Sequence, residues 1–199
     1  MEITLDKAKI LGCMTYFQAT TDTRHYLNGI HFQRNPRGEG VIVSGTDGAI
    51  LARYLDPLGT MEEPCNEMII RLGSDALKLV RRKTLGHESI CIKIPENNAT
   101  GTDGLLECGN GVVAPVHRID GQYPDAARVI PHKSMVTRSE DMPPALDIDL
   151  IKRICAGVDH LCPKKAVGAM RGVNVAATGE RSSMVFSMPM DPNFVAVAM

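Results

Sequence analysis

Six cysteines (Cys13, Cys65, Cys91, Cys108, Cys155 and Cys162) and six histidines are the side chains of this sequence best suited to covalent or metal chemistry. A thiolate would serve as nucleophile or soft metal ligand, with an imidazole as its base or co-ligand. The spacing argues against both. No two cysteines form C-x-x-C, the histidines are dispersed, and His160 with Cys162 is a pair of near neighbours that cannot close a tetrahedral site. There is no H-E-x-x-H and no G-x-x-x-x-G-K-[ST], and Gly109-Asn110-Gly111 is too short for a dinucleotide fingerprint, so neither metal nor cofactor is expected. Cys13, Cys91 and Cys155 lie in apolar periodic segments, where buried thiols are expected; a cysteine-dependent enzyme would instead need a thiol of depressed pKa. One further stretch, GQYPDAARVIP at 121–131, holds two prolines and apolar residues around Arg128, and reads as neither helix nor clean strand. Its purpose depends on what surrounds it.

The chain has 199 residues, 44% hydrophobic and 23% charged, with a net charge of −1. That length supports one large domain or a domain and a half, with about two thirds of the surface buried on folding. No apolar run approaches the roughly 20 residues of a membrane span. The start, MEITLDKAKILG, has charges where a secretory signal needs an apolar core, so a cytoplasmic protein with reduced thiols is expected. Near-zero net charge gives no global attraction to nucleic acid and leaves any local positive face to the distribution of charges.

A recurring order of elements, about 65 residues apart, divides the chain into three units. Unit one is a helix in LDKAKILGCMTYFQATTD, with Ile10, Met14 and Phe17 at helical spacing, then strands in YLNGIHFQ and VIVSGTDGAILARYL. Unit two opens with the strand EMIIRL, then a helix DALKLVRRK with Ser74 as N-cap, then strands in SICIKI, LLECGN and GVVAPVHRI. Unit three is a helix in LDIDLIKRICAGVDHL, with Ile151, Ile154, Cys155 and Val158 on one face, then strands in AMRGVNVA, SSMVFSM and NFVAVAM. The class is α+β, three helix-plus-antiparallel-sheet repeats. The proline-marked polar stretch HKSMVTRSEDMPPALD places a linker at 132–144, between a complete domain at 1–131 and a half-domain at 145–199.

Three segments carry a resemblance to a known family: TRHYLNGIHF at 23–32 with TDGAILA at 46–52, GQYPDAARVIP at 121–131, and FVAVAM at the C-terminus. In this order and spacing they resemble the bacterial DNA sliding clamp, the beta subunit of DNA polymerase III. The resemblance implies the DNA-clamp fold, a ring of six similar domains with twelve helices lining a hole for duplex DNA. Its subunits have three domains, whereas this chain holds about one and a half. A half-domain leaves a helix face and strand edges without partners, so a homo-oligomer is expected, either a tetramer supplying twelve helices or a dimer forming part of a ring.

The same resemblance implies a hydrophobic groove that takes a short peptide from a polymerase or another clamp-binding protein. It would be formed by Thr46 and Leu51, Pro124 and Val129, and Val195 and Val197, with VAVAM replacing the family's bulkier Val-Met-Pro-Met ending. For duplex DNA a positive face combines Arg24, Tyr26, Lys78, Arg81, Arg82, Lys152 and Arg153, joined by Arg128 and held to phosphate without sequence preference; the resemblance supports Arg24, Tyr26, Arg81 and Arg128 most directly. Gly73 and Ser74 stand where a basic pair aligns in the family. Two functions follow from these residues: a non-enzymatic processivity factor that encircles DNA and is loaded by a clamp loader, or an adaptor that binds replication-protein peptides without closing a ring.

Overall fold

The computed structural model describes residues 1–95, 103–131, 147–162, 172–177 and 183–199. The expected linker, 132–144, lies outside the described residues. Each unit places one helix ahead of a three-stranded antiparallel meander. In unit one, strand β1 (Glu2–Leu5) and helix α1 (Ala8–Met14) precede β2 (Ile30–Arg34), β3 (Val41–Thr46) and β4 (Ile50–Asp56), with a two-residue strand β5 (Thr60–Met61) after them. In unit two, β6 (Glu67–Leu72) and α2 (Ser74–Val80) precede β7 (Ile90–Lys93), β8 (Asp103–Cys108) and β9 (Val113–Ile119). A one-turn helix, α3 (Ala126–Val129), then leads to unit three, α4 (Ile148–Leu161) with β10 (Asn174–Ala177), β11 (Met184–Met188) and β12 (Asp191–Ala198).

The twelve strands form one sheet in the order β10-β11-β12-β4-β3-β2-β6-β9-β8-β7-β1-β5. The lone strands of the first two units are exchanged: β1 pairs with β7 of unit two, and β6 bridges β2 of unit one to β9. Units one and two therefore interlock. Unit three instead joins at an edge, through β12 on β4.

All three longer helices gather on one face. A side chain at Gly45 in β3 would lie 2.8 Å from the Met14 carbonyl and 3.3 Å from Phe17 Cβ, so α1 rests on that face of the sheet. Period-two alternation follows: Val43, Ala52, Tyr54, Phe194 and Ala196 face the helices and are buried, while Ser44, Thr46, Leu51, Arg53, Val195 and Val197 point to the far side. Leu11, Cys13, Met14 and Phe17 meet Ile154, Val158 and Leu161 over this layer, and the Phe17 and Phe194 rings are tilted at 6.2 Å.

Glycine sets how closely the helices approach. A Cβ on Gly12 would collide with both His160 Nε2 of α4 and the Val80 carbonyl of α2, two groups joined by a 3.0 Å hydrogen bond. A Cβ on Gly157 would lie 2.5 Å from the Phe17 ring. Helix α1 therefore touches α2 and α4 at one point, making an arc of three helices.

Local departures from the expected elements have physical causes. His25 and the first three residues of YLNGIHFQ form a single tight 3-10 turn, and the strand begins only at Ile30. Gly73, not Ser74, is the N-cap of α2, and no side chain caps it. Asp147 caps α4, accepting from the Asp149 amide at 2.6 Å. On α4, Ile154 and Val158 are buried as expected, but Ile151 and Cys155 are exposed; the inward face runs through Ile154, Gly157, Val158 and Leu161. The meeting point with α1 decides that rotation.

Gly12→Ala adds a better helix former yet should lower unfolding free energy by about 1–3 kcal/mol through overpacking. Urea titration measures this. A variant as stable as its parent would show that the three helices do not meet at this point.

Candidate functional site

The turn joining β3 to β4 is built from Thr46 to Ala49. Asp47 Oδ1 accepts from the amides of Ala49 and Ile50 at 2.9 and 3.0 Å, and Thr46 Oγ1 donates to the Ile50 carbonyl at 2.7 Å while accepting from the Gly48 amide at 3.1 Å. Gly48 has φ of +94°, which only glycine adopts without strain. The second carboxylate oxygen, Oδ2, pairs with Arg153 of α4. Burial alone would lift the Asp47 carboxyl, but the hydrogen bond from Arg153 and the two turn amides outweigh it and hold the pKa below its ordinary value.

On the face away from the helices, register places Thr46 opposite Leu51 and Leu51 opposite Val197, a row across three strands. The next row on this face is Ser44, Arg53 and Val195. Thr46, Leu51 and Val197 are essentially inaccessible, the last two at 1% and 0%, whereas Val195 and Val129 are half-buried and Pro124 is exposed. The strand residues thus form a closed floor with accessible residues at its rim.

The segment 121–131 crosses this same face. Tyr123 anchors it: the ring stacks on His31 of β2 at 4.6 Å with 10° between planes, and its hydroxyl donates to the Ser44 carbonyl at 3.5 Å. Asp125 Oδ1 accepts from the Ala127 amide at 3.0 Å, nucleating α3, which packs against β4. This turn of helix was not legible in a stretch framed by prolines. Pro124 does not line the Leu51–Val197 row; with Arg53, Ser44, His31 and Arg37 it borders an adjoining cavity of about 360 Å³.

The basic residues divide into three groups. Arg81 and Arg153 are structural caps: Arg81 donates Nε to Thr15 Oγ1 at 2.8 Å and Nη2 to the Thr15 carbonyl at 3.1 Å, its guanidinium 4.6 Å from the Tyr16 ring centre. Arg153 donates Nε to the Tyr16 carbonyl at 2.8 Å and Nη2 to the Phe17 carbonyl at 3.1 Å. Together they satisfy carbonyls left without partners where α1 ends, and place positive charge at its negative pole. No sequence signal could have found them, because donor and acceptor are 66 and 137 residues apart.

The second group is exposed and loosely held. Lys78 pairs with Asp75 at 3.4 Å and Lys152 with Asp149 at 3.1 Å, each one turn away on its own helix, and Arg82 is exposed beyond the end of α2. The third group lies elsewhere. Arg24 forks onto Asp22 at 2.8 and 3.0 Å and holds that carboxyl down at about 2, and Tyr26 packs on Leu27, Ile69 and Tyr123. Arg128 projects from α3 on the face opposite α1, α2 and α4, pairing with Asp125 at 3.4 Å, so it does not share a surface with Arg81 or Arg82.

The cysteines run against thiolate chemistry. Burial pushes Cys13, Cys108 and Cys162 up, and Cys91 is pushed up to about 11 by burial with Glu2 beside it. Cys155, expected to be buried, is exposed on α4.

No family model matches the chain, and no curated protein matches it. Solved structures do. The DNA polymerase III subunit beta from Borrelia burgdorferi, determined in complex with a natural product, superposes with a TM-score of 0.68 at 14% identity, covering 100% of this chain and 62% of that one. The same subunit from Pseudomonas aeruginosa gives 0.66 at 15% identity, covering 100% and 66%. A sliding clamp from Bartonella birtlesii bound to griselimycin gives 0.65 at 18%, covering 100% and 65%. The fold is that of the bacterial sliding clamp. This chain spans 62–66% of these clamps' length, more than the half expected for one and a half of three domains. In this chain the Leu51–Val197 row and the segment that crosses it lie on the face of the sheet away from α1, α2 and α4.

Asp47→Asn should cost about 1–3 kcal/mol at neutral pH, because Arg153 loses its charged partner. The folded carboxyl titrates below its unfolded value of about 3.9, so its contribution is complete above that pH and disappears as pH falls through the folded pKa. Parallel urea titrations should therefore converge below about pH 4. A gap that persists in acid would exclude the ion pair as its cause.

Proposed function

We propose that this protein is a non-enzymatic processivity factor of the sliding-clamp type. It associates as a homo-oligomer around duplex DNA, without sequence specificity, and tethers a polymerase through a peptide laid along the Leu51–Val197 row. The observation that carries this reading is the clamp fold with that row on the face opposite the helices, at the junction of units one and three. A floor of Leu51 and Val197 rimmed by Val129 and Val195 suits an aliphatic or aromatic anchor, whose burial contributes about 25 cal/mol per Å². The anchor reaches the floor by displacing what covers it. A clamp loader and a cytoplasmic setting follow from the same reading.

Self-association is supported by unit three. Among the described residues its outer strand, β10, is unpaired on one side with Val175 52% exposed, and α4 presents Ile148 (68% exposed), Ile151 and Cys155 at helical spacing on its outer face. An open strand edge beside an apolar helix stripe is what half of a two-unit domain leaves uncovered.

A second reading, an adaptor that binds replication-protein peptides without enclosing DNA, is favoured by the charge inventory. Arg81 and Arg153 are committed to the end of α1, and Lys78 and Lys152 each have a carboxylate neighbour, so among the described residues the helix side has few free cations for phosphate.

Retention on DNA separates the two. A ring should remain on nicked circular plasmid through gel filtration in high salt and slide off once the plasmid is linearised, and Ile151→Asp should abolish retention while reducing the mass measured by light scattering. A parent protein that elutes as a monomer and never co-elutes with the circle would establish the adaptor. For the low-salt association that precedes closure, Arg82→Ala with Lys152→Ala should reduce the slope of log affinity against log salt by about 1–2. An unchanged slope would place the phosphate contacts on other residues.

A further inference from the structure

Beside the Leu51–Val197 row lies a cavity of about 360 Å³ between α3 and strands β2 to β4. Four charged groups border it besides His31: Arg37, Arg53, Glu67 and Asp125. Both carboxylates are already engaged. Glu67 Oε2 is 3.3 Å from His31 Nε2, and Asp125 caps α3 and pairs with Arg128. Neither arginine is. Among the described residues the guanidinium groups of Arg37 and Arg53 have no hydrogen-bond or ion-pair partner, although Arg53 is half-buried. Ser44 Oγ, on the same wall, is buried without a hydrogen-bond partner, although its residue is 1% exposed.

A half-buried guanidinium facing a cavity, a second one nearby and an orphaned buried hydroxyl make an unsatisfied site. Burial disfavours the charge on Arg53 most and Arg37 next, and Asp125 offsets them only in part, so a further anion between the two guanidinium groups would relieve both effects. Position identifies what would bring it. Arg53 follows Leu51 by two residues on the same face of β4, about 7 Å along the strand. An extended peptide advances about 3.3 Å per residue, so its side chain two positions from an anchor over Leu51 and Val197 enters this cavity.

We propose that the cavity is an acid-binding subsite, in which Arg53 and Arg37 take the carboxylate of an aspartate or glutamate two positions from the apolar anchor of a docked peptide, and Ser44 Oγ donates to it. The assignment rests on the groove reading above and adds to it a requirement for charge. Partners would be selected by an apolar and an acidic residue in fixed register, not by apolar burial alone.

The test uses the full chain and fluorescein-labelled alanine heptapeptides containing one leucine and, two positions from it on either side, glutamate or glutamine, read by fluorescence anisotropy. The better glutamate peptide should bind about tenfold more tightly than its glutamine counterpart, as expected for one charge-assisted hydrogen-bonded pair. Arg53→Gln should erase that difference without changing affinity for the glutamine peptide. Arg37→Gln, in an exposed loop, should reduce it and guards against a folding defect in the first variant. Equal affinities for the two peptides in the parent, or a difference that survives both substitutions, overturn the subsite. If replacing leucine by alanine weakens binding while glutamate and glutamine remain equal, the groove stands and the acid subsite falls. A glutamate preference that ignores the leucine sinks the register and the groove together, as does absence of binding by every peptide. Displacement of the glutamate peptide by inorganic phosphate at lower concentration than the peptide itself would make this a free-anion site and overturn the assignment.

Discussion

Arg153 is the contact on which the arrangement of units depends. From α4 it reaches the Tyr16 and Phe17 carbonyls in the turn that follows α1 and the Asp47 carboxylate in the β3–β4 turn, joining unit three to two turns of unit one. Charged donors on a helix C-terminus, with a carboxylate balancing the remaining charge, let the guanidinium be half-buried without an electrostatic penalty. With α4 held there, β12 is brought beside β4 and Val197 opposite Leu51. The row on the face away from the helices is therefore fixed by a contact on the helix face.

Arg81 repeats the device from the other side. It comes from α2 to the same turn of α1, so the two arginines converge on Thr15, Tyr16 and Phe17. A helix as short as α1 gains little from its own propensity and is held by its neighbours at the Gly12 contact and at its C-terminal carbonyls. Two cations expected from the sequence to face DNA, Arg81 and Arg153, are thereby committed to structure. Lys78, Arg82 and Lys152 remain the better candidates for phosphate on the helix side.

The face away from the helices shows the complementary arrangement. Tyr123 holds the 121–131 segment against β2 and β3, and Asp125 starts a turn of helix that packs against β4. In GQYPDAARVIP the tyrosine anchors the segment, while the prolines restrict its backbone on either side. Pro124 borders the arginine-lined cavity while Leu51 and Val197 form the apolar row, so a set of groove residues transferred by motif divides between two environments.

By itself the sequence determined the class, the three helix-and-meander units and most strand cores, because period-two and helical alternation are local properties of each segment. VIVSGTDGAILARYL became β3, a turn and β4 for this reason, and LDIDLIKRICAGVDHL became α4. It also contained the clamp motifs, which are short and contiguous. Tertiary structure alone decided the rest. The exchange of β1 and β6 between units, the outward rotation of Ile151 and Cys155, the capping roles of Arg81 and Arg153 and the meeting of Arg37 and Arg53 at one cavity all depend on groups distant in sequence. A side chain's type states what it can bond to; only the folded chain settles what lies within reach.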